Sequence, residues 1–134
     1  MLAFLFGYAV SGHTPGIHPG GAWYSALAAE IVFTTALVLV VLNVASTKQT
    51  AGNSFYGLAI GFTVAAGAFA VGPISGAAFN PAVGVSATLA GVLFGQGSWG
   101  NLWLYIVGPF IGAAIAAAIH VAQSLPSPVA PNSA

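Results

Sequence analysis

Residues 73–84 read Pro-Ile-Ser-Gly-Ala-Ala-Phe-Asn-Pro-Ala-Val-Gly, and the Asn-Pro pair within this stretch decides the fold. Asn80 directly before Pro81 predicts a helix start, because Asn caps unpaired backbone N–H groups and Pro is tolerated at the first helical position. The apolar run over 80–94 is stopped by Gly-Gln-Gly. A helix of this length reaches about 20 Å and does not cross a hydrocarbon core about 30 Å thick.

The composition places this short helix in a membrane. Hydrophobic residues make up 58% of the 134 residues and charged residues 1%, and the mean hydropathy is +0.97. Soluble domains carry about 25% charged residues. A half-helix at membrane depth must pack against protein or line a water-filled cavity, so the run over 80–94 predicts a pore. The chain has no cysteine and a net charge of zero, which excludes disulfides and argues against nucleic acid as a partner.

The remaining apolar segments predict an all-α membrane protein with short loops. The end of one helix is expected at 1–10, an outer loop at 11–22, helices at 23–45, 55–71 and 102–121, and a disordered tail at 123–134. Lys48 is the only basic residue and lies between the first two complete spans. The positive-inside rule therefore predicts that loop 46–54 and the C-terminus are cytoplasmic. The expected location of this multi-pass protein is the plasma membrane.

The order of the motifs resembles the second half of a channel of the aquaporin (major intrinsic protein) family. Four motifs carry this resemblance: Ala-Glu-Ile-Val at 29–32, Gly-Pro-Ile-Ser-Gly at 72–76, Asn-Pro-Ala at 80–82, and Trp-Leu-Tyr-Ile-Val-Gly-Pro at 103–109. The resemblance covers about residues 1–122. It implies an aquaporin-like half-barrel of three transmembrane helices plus one re-entrant half-helix, assembled as tetramers. It also implies passage of water or small uncharged solutes such as glycerol.

The family fold pairs two halves, each with one Asn-Pro-Ala motif, and this chain shows one. Three interpretations stay open: a fragment or truncated gene product, a half-channel that pairs with another chain, or the first half of the fold. Val83 directly after the motif is commoner in first halves of the family. The Gly-Pro pairs at 72–73 and 108–109, and the loop before the Glu30 helix, favour the second half.

Two sets of site residues follow from the resemblance. Asn80, Pro81 and Ala82 are expected to line the pore, with the Asn80 side-chain amide facing the solute. The positive end of the half-helix repels cations at the same level. Glu30 is the only acid and lies inside a span, where an ionisable group needs a partner. We expect it to be a structural acid whose carboxylate accepts backbone N–H groups of the re-entrant loop.

Selectivity in the family is set outside the Asn-Pro-Ala level by four side chains, three of which fall on Ala68, Ala77 and Val83. The family usually has Arg where Val83 stands. A missing guanidinium removes five donors and a permanent charge. The ring is therefore expected to be wide and apolar, which favours small neutral solutes over strict water selectivity.

No enzyme, cofactor or metal site is predicted. His13, His18 and His120 have no metal-ligand spacing, and one acid without cysteine makes no catalytic set. The function predicted from the sequence is a passive transmembrane channel that is incomplete without its other half. Its expected partners are the lipid bilayer, the permeating solute, and either the missing first half or a second half-channel chain. The alternative is a non-conducting membrane interaction protein that packs against a partner.

Overall fold

The structure, a computed structural model, describes residues 16–94 and 97–124. This part of the chain is helical and contains no strand, so the predicted all-α fold is confirmed. The α-helices are α1 (Trp23–Val41), α2 (Tyr56–Ser75), α3 (Pro81–Leu93) and α4 (Leu102–Ser124). The helix end predicted at 1–10, the first part of the outer loop and the tail from residue 125 lie outside the described residues.

Three helical segments are long and apolar enough to cross a membrane, and a fourth is not. Trp23–Ser46 has 24 residues, Tyr56–Ser75 has 20 and Trp99–Ser124 has 26. The 13 residues of α3, Pro81–Leu93, correspond to about 20 Å of helix. The chain is therefore an integral membrane protein with several spans and one short apolar helix between the second and the third.

The first span ends in irregular helical turns rather than at a sharp stop. After Val41 the helix continues as a π-helical turn, Leu42–Ser46, and a 3-10 turn, Lys48–Thr50, follows. The Thr47 hydroxyl donates to the Leu42 carbonyl at 2.9 Å, which closes the widened turn. The helix predicted at 23–45 therefore has a regular part of 19 residues and a wider end.

The second span is longer than predicted. The helix predicted at 55–71 runs from Tyr56 to Ser75 and contains Pro73 in its last turn. Proline cannot donate a backbone hydrogen bond to the residue four positions earlier, here Phe69, yet the helix continues past it. It ends at Gly76, whose φ of 90° lies in the left-handed region and whose N–H donates to the Gly72 carbonyl at 2.8 Å. The extra turn places Ser75 opposite α1.

The last span is also longer than predicted. The helix expected at 102–121 continues to Ser124, so the first two residues of the tail predicted at 123–134 are helical. The Ser124 hydroxyl donates to the His120 carbonyl at 2.8 Å and satisfies an acceptor of the last turn. The half-helix predicted at 80–94 agrees best with the structure, where it begins at Pro81 and ends at Leu93.

Helix α4 makes its most extensive contacts with α1, and glycines of α4 bring the two backbones together. A Cβ at Gly108 would lie 2.7 Å from the Cβ of Glu30, and one at Gly112 would lie 2.6 Å from the Ile31 carbonyl oxygen. The Thr35 hydroxyl also donates to the Gly112 carbonyl at 3.1 Å. Small residues allow this close approach in membranes, where water does not drive helices together.

Candidate functional site

The segment between α2 and α3, residues 76–80, enters the helical bundle without secondary structure. Two of its residues other than glycine have left-handed backbones, with φ of 55° at Ala77 and 50° at Phe79. Each such conformation costs on the order of 1 kcal/mol and persists only where the surroundings fix it. Contacts with the surrounding helices must therefore hold Ala77 and Phe79 in these conformations.

Glu30 of α1 supplies the main contact. Its carboxylate is fully buried and accepts three hydrogen bonds. Oε1 accepts from the Ser75 hydroxyl at 2.8 Å and from the Ala78 N–H at 3.0 Å, and Oε2 accepts from the Phe79 N–H at 2.7 Å. Two backbone donors that would otherwise be buried without a partner are thus satisfied by a side chain of another helix.

Ser75 and Tyr105 extend this network to three helices. The Ser75 hydroxyl accepts from the Ala77 N–H at 3.0 Å while it donates to Glu30. The Tyr105 hydroxyl of α4 donates to the Ser75 carbonyl at 2.7 Å. Both residues are fully buried. Sequence reasoning missed them, although a hydroxyl at the end of an apolar helix and a tyrosine inside a span are both polar groups that need partners.

The ring of Phe79 anchors the segment on its apolar side. It stacks on Phe33 of α1 with ring centroids 5.5 Å apart and an interplanar angle of 26°. Gly67 of α2 leaves room for both rings, since a Cβ there would lie 2.7 Å from the Phe79 ring and 2.8 Å from Phe33. The backbone bonds to Glu30 and this stack together fix the turn that leads into α3.

Asn80 is the N-cap of α3. Its side-chain Oδ1 accepts from the Ala82 N–H at 2.9 Å, and Pro81 follows at the first helical position. Asn80 is exposed, and within the described part of the chain its side-chain amide has no partner. The site therefore combines a free N–H donor with the positive end of a helix, about 0.5 of an elementary charge.

A cavity of about 300 Å³ opens beside this helix start, between α1 and α4. Most of its lining is apolar, and the residues are Thr34, Leu37, Val38, Val41, Phe79, Asn80, Pro81, Pro109, Phe110 and Ala113. The Thr34 hydroxyl is buried and has no hydrogen-bond partner among the described residues. The exposed Asn80 side chain thus offers the cavity a polar group within an apolar wall.

The other predicted site residues lie on three separate pieces of the chain. Ala68 is exposed on α2, Ala77 is half-buried in the left-handed turn, and Val83 is 38% exposed in the first turn of α3. Ala82 is exposed next to the cap. None of the three ring positions lines the cavity that Asn80 and Pro81 share.

The described residues contain no group of three side chains able to hold a metal ion. His18 is exposed in the loop before α1, and His120 lies near the end of α4. His13 falls outside the described residues. The chemistry available at the site is hydrogen bonding and helix-end charge.

A family model described as "Major intrinsic protein" matches residues 3–120. The chain is also similar to three curated plant proteins. Aquaporin NIP1-4 of Oryza sativa subsp. japonica is 39% identical over 103 residues, which are 77% of this chain and 36% of the relative. Aquaporin PIP1-5 of Zea mays is 38% identical over 114 residues, which are 82% of this chain and 39% of the relative. Aquaporin NIP1-1 of Zea mays is 37% identical over 101 residues, which are 75% of this chain and 34% of the relative. The chain thus spans just over a third of the length of the curated relatives it matches.

Proposed function

Because the chain belongs to the major intrinsic protein family, we propose that it forms half of a passive transmembrane channel for water and small uncharged solutes. The observation that carries the proposal is the capped start of α3. There, the Asn80 amide has no partner among the described residues and lies at the start of a helix too short to span a membrane. The names of the similar proteins, all aquaporins, support the same assignment.

The mechanism needs no covalent chemistry. A solute that has lost part of its water shell regains a hydrogen bond from the Asn80 amide, whose orientation is fixed because Oδ1 is bonded to Ala82. The helix end adds a positive potential at the same point, which raises the energy of any cation there. Glu30, Ser75 and Tyr105 act indirectly, since they hold the turn that aims Asn80.

The pore is proposed to be incomplete in a single copy. Only 6% of the apolar 18-residue stretch of α2 is buried, so nearly all of this span is open to a partner or to lipid. The cavity beside Asn80 is bounded by α1 and α4 on one side, and the Asn80 amide has no hydrogen-bond partner among the described residues. We propose that a first half of the family, or a second half-channel chain in the opposite orientation, closes this side.

The ring that selects the solute is proposed to include Ala68, Ala77 and Val83. All three are small or apolar, and Val83 lies close to the positive end of α3. Without a guanidinium, only the helix end opposes protons and other cations. Such a ring admits solutes of glycerol size and discriminates weakly between them and water.

The Val83→Arg variant tests this ring. In a channel completed with a first half from a related protein, Arg is expected to narrow the ring and to lower glycerol permeability at least severalfold more than water permeability. Both permeabilities are measured in the same proteoliposomes by osmotic shrinkage. Val85→Arg is the matched control, because Val85 is 40% exposed but lies two residues further along α3, on another face.

If the ratio of glycerol permeability to water permeability were unchanged in Val83→Arg, Val83 would not belong to the selectivity ring. If the completed wild-type channel conducted neither solute while its two halves copurified, the chain would instead be a membrane interaction protein without a pore.

We further propose that the Lys48 loop and the C-terminus face the cytoplasm and that the completed channels assemble as tetramers in the plasma membrane. The orientation is supported by the only basic residue of the chain. The resemblance to the family supports the tetramer.

A further inference from the structure

A second, polar cavity lies at the end of the bundle where α1 and α4 both finish. Its volume is about 480 Å³, and it is lined by Asn43, Thr47, Lys48, Gln49, His120, Gln123 and Ser124. The segment Trp23–Ser46 is about 36 Å long at 1.5 Å per residue, longer than a hydrocarbon core of about 30 Å. This end of the bundle therefore reaches the depth of the lipid headgroups.

Four carbonyl groups near this cavity accept hydrogen bonds from neighbouring side chains. In α1 and its π-helical turn, Asn43 donates to the Leu39 carbonyl at 2.9 Å, and Thr50 donates to the Asn43 carbonyl at 2.7 Å. Thr47 bonds the Leu42 carbonyl and Ser124 bonds that of His120. These bonds reduce the negative character that two helix C-termini would otherwise give the cavity.

Three of the exposed polar side chains that line the cavity are those of Lys48, Gln49 and Gln123. These three side chains have no hydrogen-bond partner in the described part of the chain. Lys48 carries three donors and each glutamine amide carries two. The cavity therefore has an excess of donors that a ligand with several acceptor oxygens would satisfy.

The charge distribution favours an anionic ligand. Lys48 is the only Lys or Arg residue of the sequence and lies in this cavity. Glu30 is the only acidic residue, and it is fully buried in its bonds to Ser75, Ala78 and Phe79. No acidic side chain thus offsets Lys48 there.

We propose that this cavity binds a phosphate group, supplied either by the headgroup of an anionic phospholipid or by free phosphate. The phosphate oxygens would accept hydrogen bonds from Lys48, Gln49 and Gln123, with His120 at the wall. Charge-assisted bonds from lysine to phosphate are among the stronger hydrogen bonds in proteins. The site is independent of the proposed channel function, since none of its lining residues lines the cavity beside Asn80 and it requires no second half.

Thermal unfolding of the purified chain in an uncharged detergent tests the site, because a ligand that binds the folded state raises the unfolding temperature. Phosphatidylglycerol, inorganic phosphate and phosphate-free diacylglycerol are added in separate titrations, and helicity is followed by circular dichroism. We expect a saturable rise with phosphatidylglycerol or phosphate and none with diacylglycerol. A rise with the lipid alone identifies the headgroup as the source, and a rise with phosphate alone identifies a soluble anion.

Variants separate a built site from general attraction to a positive charge. Lys48→Gln is expected to weaken the apparent affinity about tenfold, and Lys48→Arg to retain most of it. The double variant Lys48→Gln with Ser54→Lys keeps the net charge but moves it to an exposed loop residue outside the cavity. It is expected to bind as weakly as Lys48→Gln. Wild-type affinity in the double variant, or no rise with either phosphate source, would overturn the proposal.

Discussion

Replacing Glu30 with Gln is expected to lower the free energy of unfolding of the chain by about 2 kcal/mol, since a buried donor loses its partner. Glutamine has one acceptor oxygen where the carboxylate has two, and its NH₂ group would face either the Phe79 N–H or the Ala78 N–H. Two donors then meet in a fully buried site. The left-handed turn at Phe79 loses the bond that offsets its strain.

Equilibrium unfolding in mixed micelles, followed by circular dichroism, measures this loss. A matched pair of serine variants serves as control. Ser75→Ala removes a hydroxyl that bridges Glu30 and Ala77, and we expect it to cost about 1 kcal/mol or more. Ser86→Ala removes a hydroxyl bonded only within its own helix and is expected to be nearly neutral. Equal stability of Glu30→Gln and the wild type would show that Glu30 does not hold the turn.

Replacing Gly108 with Ala is expected to destabilise the chain by about 2 kcal/mol, a typical cost of overpacking. The added Cβ would lie 2.7 Å from the Cβ of Glu30 and 3.5 Å from Leu27 Cδ1. The Cβ of Glu30 is next to the backbone, so it cannot move aside without displacing α1 or α4. The displacement would also shift the carboxylate away from Phe79.

Gly61→Ala is the matched control for Gly108→Ala. Gly61 also lies inside a helix, but a Cβ there would have no atom within 4 Å. Alanine is a better helix former than glycine, so this variant is expected to be neutral or more stable by up to about 1 kcal/mol. If both variants unfolded at the wild-type denaturant concentration, close contact between α1 and α4 at Gly108 would be excluded.

The sequence predicted the parts of the fold that depend on local patterns. Three apolar segments of sufficient length predicted three spans, and the Asn80-Pro81 pair predicted the start of the short helix. Such signals are carried by neighbouring residues. The family assignment also followed from motifs that are contiguous in the chain, and the family match over residues 3–120 confirms it.

The sequence did not predict features that depend on distant contacts. The continuation of α2 through Pro73 to Ser75 is associated with the bonds from Ser75 to Glu30 and Tyr105, which are 45 and 30 residues away. The left-handed conformations of Ala77 and Phe79 could not be predicted, because neither residue is a glycine. The same network of hydrogen bonds imposes them. The polar cavity at Lys48 joins the ends of two helices separated by more than half of the chain.

The absence of cysteine from the chain allows a direct measurement of whether α3 lines a pore. A Val83→Cys variant is completed with a cysteine-free first half from a related protein, and osmotic water flux is recorded before and after a water-soluble mercurial. A Ser54→Cys variant, exposed in the loop, is the control for labelling without block. We predict flux well above that of empty vesicles in both variants, and block by the mercurial only in Val83→Cys. Flux no higher than in empty vesicles, or flux through Val83→Cys that the reagent leaves unchanged, would contradict the account.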